Sequence, residues 1–426
     1  MDRNINWKQN LFFIWLSQFL SLAGFSLCMP FIPKVMEFSL GITDQTLRLQ
    51  YISIYQLLSM LSMCAAMVVW GTLADRFGRK LMLLRASFAA AIFYPLLAFI
   101  PNIWLLFLVR FVCSFFSGTY NPAQTLAVST TPPEKHGFAL GLLSTALWSG
   151  YMAGYLAGGI IASRFGFTVA FVCGGTLYFV SALLILFLTK DNFSRQNCLK
   201  KIKKDRMPLK KLLSPGVCGI LLLILIMGIA KRVDEPFLTE LVDDVMRRTG
   251  SDELNLFFFR ITGDSLFFTG LVSAGAALGG FLSGVVFGWC SDRITPWKLL
   301  IPVITASAVG VVLQLHANGM TALFAARIFA YFTSGGIMPV LQLMLIRITD
   351  PGLRGTYFGW SGSFSTLGGV LCAFLSMITA NFAGLHGIYW SEVICFLLML
   401  PMLIPVFISV KKESKCRTAT AAGNIS

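Results

Sequence analysis

The segment Gly71–Leu84 reads GTLADRFGRKLMLL and places a densely charged turn between two long apolar runs. Six of its first ten residues are glycine or charged, namely Gly71, Asp75, Arg76, Gly78, Arg79 and Lys80. Because lipid expels charged groups at this density, the turn has to lie in water at one face of a membrane. The sequence therefore predicts two membrane-spanning helices that are joined by this turn.

The composition extends this interpretation to the whole chain. Of its 426 residues, 56% are hydrophobic and 12% are charged, and the mean hydropathy is +0.75. Soluble domains carry about 25% charged residues. The apolar runs are long and continuous, whereas a transmembrane barrel has short segments of alternating polarity. We therefore expect an all-α integral membrane protein.

Twelve segments have the length of a membrane span, which needs about 20 apolar residues. They are 11–33, 51–71, 81–100, 103–124, 137–161, 167–189, 215–238, 264–289, 298–316, 320–345, 356–382 and 387–410. A polar connector separates the first six from the last six. The predicted domains are an N-terminal six-helix bundle (1–189), a basic connector (190–214), a C-terminal six-helix bundle (215–410) and a tail (411–426).

An internal repeat supports this division. A shift of 217 residues superimposes two separate groups of residues. It pairs Gly71 with Gly288, Asp75 with Asp292, Arg76 with Arg293, Arg110 with Arg327, Gly118 with Gly335 and Pro122 with Pro339. One offset that joins two segments predicts two parallel repeats of a six-helix unit.

The basic residues predict the orientation. Of the 34 lysines and arginines, 23 fall at the termini, the connector and the loops on the same side, and six fall on the opposite side. By the positive-inside rule, both termini are cytoplasmic. The net charge of +15 is therefore a topology signal, and we expect no nucleic-acid partner. The ten cysteines are scattered and the three histidines are isolated, so neither a metal site nor an enzyme's catalytic group is indicated.

The pattern G-x-L-A-D-R-x-G-R-K at Gly71–Lys80 resembles the signature loop between helices 2 and 3 of the major facilitator superfamily. Four further stretches resemble the MdtG-type multidrug efflux group, the bacterial drug:proton antiporters with twelve helices. These are Asn6–Phe19, Phe25–Pro33, Asn102–Arg110 and Phe138–Gly159. The resemblance is close through about residue 190 and mainly architectural beyond it.

This resemblance implies a function. It implies a secondary active transporter in the inner (cytoplasmic) membrane of a bacterium that exports lipophilic or cationic drugs by alternating access. The proton gradient would supply the energy and no cofactor would be needed. The partners would be a small-molecule substrate and the lipid bilayer, and nothing requires more than a monomer.

The resemblance also assigns a conformational clasp that would close the cytoplasmic side. Asp75 would meet the start of helix 11, Arg79 would pair with Glu134, and Asp292 would approach helix 5 near Gly137. The full set comprises Gly71, Asp75, Arg76, Gly78, Arg79, Lys80, Asp292 and Arg293.

Charged residues inside the predicted spans are candidates for proton coupling or for a gate, because intramembrane charge is costly and usually faces a cavity or a partner. They are Arg110, Lys231, Arg232, Asp234 and Glu235. In helix 7, either Asp234 or Glu235 binds the coupling proton, or the group forms a salt-bridged outer gate at the bend that Pro236 imposes. Arg110 either takes part in proton transfer or bonds helix carbonyls, and we expect its repeat mate Arg327 to be structural.

Glycines four residues apart let helices approach closely. Helix 5 carries Gly150, Gly154, Gly158 and Gly159, and helix 8 has a similar stripe. By family resemblance the two helices meet between the halves, so these glycines form a packing hinge. The helix-5 stripe is similar to the antiporter motif G-x-x-x-G-P-x-x-G-G, but Tyr155 stands in place of the proline.

By family resemblance, helices 1, 4, 7 and 10 would line the substrate cavity, and polar side chains on helices 1, 4 and 10 are the candidate pocket. They are Gln18, Tyr120, Asn121, Gln124, Tyr331 and Gln342. Two other functions stay open. An uptake symporter of the same fold would use Lys231, Arg232 and Arg110 to hold an anionic or zwitterionic metabolite, and a membrane sensor would transport nothing.

Overall fold

The computed structural model describes residues 6–132, 135–192, 214–250, 252–256, 259–293, 296–348 and 354–423. Within these ranges, the side chains of a few stretches are not described, including most of 71–76 and all of 291–293.

The first half of the chain forms six helical spans. They are α1 (Trp7–Cys28), α2 (Gln45–Phe77), α3 (Arg79–Leu97), α4a (Ile103–Phe116) with α4b (Tyr120–Thr130), α5 (His136–Phe165) and α6 (Phe167–Leu188). Asparagine caps start two of these helices, because the side chains of Asn6 and Asn102 accept bonds from the backbone N–H of Gln9 and Leu105. Beyond α1, a 3₁₀ turn (Met29–Phe31), a short α-helical turn (Ile32–Lys34) and a π-helical turn (Val35–Ser39) follow.

The second half begins with α7a (Pro215–Val233), and Pro215 suits the first helical position because its missing N–H would have no partner there. The elements that follow are α7b (Leu238–Thr249), β1 (Glu253–Leu256), β2 (Phe259–Thr262), α8 (Ser265–Arg293), α9 (Pro296–Leu315), α10a (Met320–Gly335), α10b (Ile337–Ile348) and the helical stretch Arg354–Gly423. Gly384 interrupts that last stretch with a positive φ of 57°, which favours glycine. We call the parts before and after it α11 (354–383) and α12 (385–423).

The predicted twelve-helix fold is confirmed. In the described part of the chain, ten helical segments are long and apolar enough to cross a membrane. One of them, Gly359–Ser409, is 51 residues long and contains the break at Gly384, so it provides two spans. The predicted fifth span coincides with the 30-residue helix α5.

The repeat is visible in the interruptions of two helices. Between α4a and α4b, Gly118 has a φ of 110°, and α10 breaks at Gly336, next to its repeat mate Gly335. A proline follows in each case, at Pro122 and Pro339, near the start of the next helix, where its missing N–H is tolerated. The same local sequence thus produces the same break in both repeats.

The segment after helix 7 differs from its sequence prediction. The sequence prediction leaves residues 239–263 as a loop between the spans 215–238 and 264–289, but α7b and an antiparallel hairpin of β1 and β2 occupy most of it. The helix is amphipathic: Leu241 and Val245 are buried, while Asp244 and Arg248 pair on the exposed face. Its low overall hydropathy concealed it, although the predicted bend at Pro236 is present as a 3₁₀ turn.

The chain forms two compact units. Unit 1 comprises Met1–Lys204, Pro236–Leu278 and Asn318–Phe324, and unit 2 comprises Asp205–Glu235, Gly279–Ala317 and Ala325–Ser426. Side chains from α1, α3, α4b and α6, such as Leu11 and Ile185, form a core of unit 1. In unit 2, α7a and α11 lie so close that a Cβ at Gly368 would be 2.9 Å from Gly228 Cα.

The glycines of α5 allow close contact with two different helices within unit 1, namely α1 and α8. A Cβ at Gly150 or Gly158 would lie within 3.0 Å of α1 backbone atoms, and Gly154 also faces α1. Gly159 instead faces Gly270 of α8, with a Cβ-to-Cα distance of 2.9 Å. Tyr155, in place of the motif proline, packs on Ala274 and Ala277 of α8. The predicted α5–α8 approach is therefore made beside Gly159, whereas the other three glycines fit α5 against α1.

We expect Gly159→Ala to lower the thermal unfolding temperature of the purified protein in detergent, because the new methyl group overlaps the α8 backbone. Overpacking of this kind costs roughly 1–3 kcal/mol. The matched control is Gly141→Ala on the same helix, where a Cβ meets nothing within 4 Å. A control glycine in open space should be neutral or slightly stabilising. Equal unfolding temperatures for the two variants would contradict the tight α5–α8 contact.

Candidate functional site

A cluster of buried polar and charged side chains lies inside unit 2. Asp234, directly after the last residue of α7a, is 2% exposed, and Arg327 of α10a is 1% exposed. One guanidinium nitrogen, Nη1, donates to Asp234 Oδ2, and both side chains are almost fully withdrawn from solvent. A buried charge is tolerated only where a partner and further hydrogen bonds compensate for its lost hydration.

Two further side chains add hydrogen bonds to this ion pair, although the buried Nε of Arg327 has no hydrogen-bond partner among the described residues. Arg327 Nη1 also donates to Gln314 Oε1 at 2.9 Å, and Arg327 Nη2 donates to the Tyr331 hydroxyl at 3.1 Å. The Tyr331 hydroxyl in turn donates to Asp234 Oδ1 at 3.3 Å. Both oxygens of Asp234 are thus occupied, and α7, α9 and α10 are joined through their polar groups.

Glu392 of α12 also belongs to this cluster, and the sequence analysis did not identify it. Glu392 is 5% exposed, and Asp234 and Arg327 are the charged groups that act on it. The only signal was a single glutamate within the predicted span 387–410. We call Asp234, Gln314, Arg327, Tyr331, Tyr389 and Glu392 the unit 2 charge cluster.

The structure separates the other helix-7 candidates from Asp234. Lys231 and Glu235 are solvent-exposed, and Arg232 is partly buried. Arg232 Nη1 donates to the carbonyl oxygens of Gly228 at 3.2 Å and of Ser365 at 2.9 Å, so it ties α7a to α11. Of the two predicted carboxylates, only Asp234 is buried with a basic partner.

Arg110 in α4a has a different environment from its repeat mate. It is buried in unit 1, and its guanidinium carbon lies 4.7 Å from the centre of the Tyr55 ring. Tyr94, which also acts electrostatically on Arg110, stacks on Tyr178 at a ring distance of 5.2 Å. Aromatic faces attract a cation through the ring quadrupole, so this arginine is stabilised mainly by aromatic rings.

A second buried cluster lies in unit 1, where the chain after α1 and the first turn of α2 meet α7b. Arg48 and Glu240 form a two-pronged ion pair, with Arg48 Nε donating to Oε1 and Arg48 Nη2 donating to Oε2 at 2.9 Å. Both residues are at most 4% exposed. Arg48 Nη1 also donates to the carbonyl oxygens of Ile42 at 3.0 Å and Thr43 at 3.3 Å, so the whole guanidinium is bonded.

A lysine extends this second cluster. Lys34 Nζ lies 2.6 Å from Asp243 Oδ2 and 3.0 Å from Glu37 Oε2. The other oxygen of Asp243 accepts a bond from the Ser265 hydroxyl, and the Thr239 hydroxyl donates to the Pro30 carbonyl. We call Lys34, Glu37, Arg48, Glu240 and Asp243 the unit 1 charge cluster. Glu240 and Asp243 were missed because their helix was interpreted as a loop.

The described part of the predicted clasp binds a neighbouring helix of unit 1. Gly78 has a φ of 94°, which lets the chain turn sharply between α2 and α3. Asp191 Oδ2 accepts the backbone N–H groups of Arg79 and Lys80, each at 2.9 Å, and so caps α3. Lys80 Nζ donates to the carbonyl oxygens of Leu186 and Thr189 at the end of α6.

The rest of the clasp lies outside the described residues. This holds for Glu134 altogether and for the side chains of Asp75, Arg76, Asp292 and Arg293. Residues 193–213 of the predicted connector and the surroundings of Gly71 also lie outside the described part of the chain.

The candidate pocket residues fall in both units. Gln18 is fully buried in unit 1, where Tyr120 and Gln124 are partly buried and Asn121 is exposed. In unit 2, Gln342 Nε2 donates to the Ser361 hydroxyl at 3.1 Å. Tyr331 belongs to the unit 2 charge cluster, so its hydroxyl is already engaged.

Comparison with known proteins decides the family. The family model of the Major Facilitator Superfamily matches residues 14–232 and 254–423. The chain belongs to the major facilitator superfamily. Its membership confirms the fold that the Gly71–Lys80 loop predicted, and it makes the protein a membrane transporter.

The relatives within this superfamily include efflux proteins. The chain is 29% identical over 398 residues to the multidrug resistance protein MdtG of Proteus mirabilis, covering 92% of this chain and 95% of that protein. It is 30% identical over 393 residues to the multi-drug resistance efflux pump PmrA of Streptococcus pneumoniae, covering 92% and 94%.

Solved structures of other superfamily members share the fold at low sequence identity. The D-xylose-proton symporter has a TM-score of 0.71 at 14% identity, with 92% of this chain and 96% of that chain covered. The nucleoside transporter NupG has a TM-score of 0.69 at 12% identity, with 95% and 99% covered.

Removal of one partner of the Asp234–Arg327 pair should destabilise the protein, because the other charge stays buried without compensation. We expect Asp234→Asn or Arg327→Met to cost roughly 3–5 kcal/mol, as for other buried pairs. The double variant should recover part of this loss. Thermal unfolding of the purified protein in detergent measures all three effects.

The matched control is Glu253→Gln, which breaks the exposed pair of Glu253 with Arg260. Loss of an exposed pair costs about 0–1 kcal/mol. If Asp234→Asn unfolds at the temperature of this control, the buried pair does not stabilise unit 2.

Proposed function

We propose that this protein exports lipophilic or cationic drugs and related small molecules in exchange for protons. The observation that carries the proposal is the 29–30% identity, over about nine-tenths of both chains, to proteins named for multidrug efflux. The transport is secondary active, the proton gradient supplies the energy and the protein is not an enzyme. It acts as a monomer and does not bind nucleic acid.

The unit 2 charge cluster supports proton coupling. A coupled transporter needs a titratable group within the membrane-spanning helices, because the proton has to be bound and released during the cycle. Asp234 lies about 28 Å along α7 from Pro215, at 1.5 Å per residue, near the far end of a hydrocarbon core about 30 Å thick. Its carboxylate is held by Arg327 from another helix, so a change in the charge of the cluster acts on an interhelical bond.

The unit 1 charge cluster supports a gate. Arg48 and Glu240 are 192 residues apart in sequence and belong to different repeats, yet they form a buried two-pronged ion pair. We assign this end of the molecule to the external side, in keeping with the positive-inside prediction that both termini face the cytoplasm of a bacterial cell. Alternating access then breaks and re-forms these pairs in each cycle.

The remaining candidates take supporting parts. Asp75, Arg76, Arg79, Asp292 and Arg293 form the clasp at the cytoplasmic side, together with Gly71, Gly78 and Lys80. Gly150, Gly154, Gly158 and Gly159 form the packing surfaces of α5. The substrate pocket draws on Gln18, Tyr120, Asn121, Gln124, Tyr331 and Gln342. Lys231, Arg232 and Glu235 line the approach to Asp234.

The proposal is tested with purified protein in liposomes that enclose a pH-sensitive dye. We expect addition of a lipophilic cation to move protons in the wild type and not with Asp234→Asn, while the exposed-site control Glu253→Gln behaves as wild type. Equal amounts of folded protein, judged by size-exclusion chromatography, are reconstituted for each variant. Glu235→Gln is measured in parallel, since the sequence does not separate the two acids.

Absence of proton movement with every cation tested, beside a working control pump, would contradict the proposal. The uptake symporter is then the second candidate. Arg110 is a buried cation that lies against an aromatic ring, and in this function its guanidinium holds the substrate anion. Accumulation of an organic anion by energised vesicles would support it, and absence of ligand-dependent counterflow would indicate the sensor.

The gate is tested by labelling a cysteine at a buried position of unit 1. Thr239 is 1% exposed beside Glu240, so Thr239→Cys should react slowly with a membrane-impermeant maleimide added outside intact cells. We expect Glu240→Gln to raise this reactivity, because the carboxylate that holds Arg48 is gone. The chain without Thr239→Cys gives the background labelling.

The matched control is Asp244→Asn, which breaks an exposed pair with Arg248 on the same helix. It should leave the labelling rate unchanged. Equal rates with and without Glu240→Gln would contradict the gate, and labelling only from the inside would reverse the orientation.

A further inference from the structure

Glu392 is an acidic side chain within the apolar helix α12, about 12 Å along that helix from Gly384 at 1.5 Å per residue. It is 5% exposed, and its Oε2 atom has no hydrogen-bond partner among the residues that the structure describes. An ionised carboxylate in such a position would be costly, because buried charges need both a partner and hydrogen bonds.

The surroundings of Glu392 already contain one hydrogen-bonded ion pair. Asp234 accepts bonds on both carboxylate oxygens, from Arg327 and from Tyr331. The guanidinium of Arg327 donates to Asp234, Gln314 and Tyr331 through its two terminal nitrogens. Glu392 acts on the pair electrostatically but takes no part in these bonds, as far as the structure describes the chain. One guanidinium thus faces two carboxyl groups.

The charge count of the cluster decides where a proton belongs. With both acids ionised, the cluster carries a net charge of −1 in an apolar environment. With one proton it is neutral, and the proton belongs on Glu392 because Asp234 is engaged by Arg327. Two carboxyl groups that share one site cannot both ionise freely, since like charges disfavour each other.

We propose that Glu392 is the carboxyl group that binds and releases the coupling proton. It is protonated in the arrangement seen here. When the cluster becomes hydrated during transport, the O–H bond breaks, the proton passes to a water molecule and the carboxylate keeps the electron pair. This inference rests on the proposed function and adds to it the residue that carries the proton.

Glu392 can cycle without breaking the ion pair beside it, which Asp234 cannot do. Protonation of Asp234 would leave Arg327 buried without its counter-charge, and such a loss is strongly unfavourable. Protonation of Glu392 leaves the Arg327–Asp234 bond intact. In this proposal Asp234 holds Arg327 in place, and Glu392 exchanges the proton.

Among the described residues that act on Glu392, Asp234 is the only other group that is acidic near neutral pH, and Arg327 already engages it. Tyrosines and cysteines ordinarily lose their protons only in alkaline solution, and arginine keeps its proton throughout. The titratable and charged side chains that share an electrostatic interaction with Glu392 are Asp234 on α7, Arg327 and Tyr331 on α10, Cys372 on α11, and Tyr389 and Cys395 on α12.

The test separates proton coupling from substrate handling in the same proteoliposomes. One assay measures exchange of labelled tetraphenylphosphonium across the membrane without a pH gradient, and the other measures its uptake driven by a pH gradient. We expect Glu392→Gln to keep exchange and lose the gradient-driven uptake, because glutamine imitates the protonated acid. Glu392→Asp should retain some gradient-driven uptake, and the control Glu253→Gln should retain both activities.

Three results would overturn the inference. Gradient-driven uptake by Glu392→Gln at the wild-type rate means that another group carries the proton. Loss of both activities in Glu392→Gln and also in Glu392→Asp means that Glu392 is structural. If wild type itself performs neither activity with tetraphenylphosphonium or any other lipophilic cation, the proposed drug export fails and this inference fails with it.

Discussion

The rest of the structure depends on the cost of burying charge, and the buried ion pair of Asp234 and Arg327 shows how that cost is met. A charge inside apolar surroundings has to be neutralised and hydrogen-bonded, or it is not tolerated. In unit 2 a carboxylate, an amide and a hydroxyl from three helices meet this requirement for one guanidinium. In unit 1 the same requirement is met for Arg48 by Glu240 and two backbone carbonyls. Each arginine therefore determines which helices have to be neighbours.

Hydropathy allowed the twelve spans to be predicted because lipid selects long apolar runs, and the 217-residue offset predicted the repeat that the breaks in α4 and α10 display. The charge clusters could not be predicted in the same way. Asp234 and Arg327 are 93 residues apart, and Arg48 and Glu240 are 192 residues apart. No local pattern identifies partners at such separations. Glu392 was hidden by the apolar residues around it, and α7b was hidden by its own polar face.

Glycine spacing shows a similar limit. The four-residue stripe on α5 correctly indicated close helix approach, since a missing Cβ is the only local requirement for it. The stripe alone did not specify the neighbour, because α5 packs on two helices at once. Gly150 and Gly158 fit α1, and Gly159 fits α8. The choice depends on the direction of each glycine around the helix and on the tertiary arrangement.

The two repeats use the same arginine position in different ways. Arg110 lies over the Tyr55 ring, and its repeat mate Arg327 faces the two carboxyl groups of Asp234 and Glu392. Aromatic rings do not titrate near neutral pH, so the charge around Arg110 is constant through a transport cycle. In the proposed cycle, the cluster around Arg327 instead alternates between neutral and −1 as one proton binds and leaves. Burial of the cluster costs more free energy at a charge of −1 than when it is neutral, so hydration is favoured in the deprotonated state and closure in the protonated state. Under this proposal, divergence at one repeated position places the proton-dependent step in unit 2.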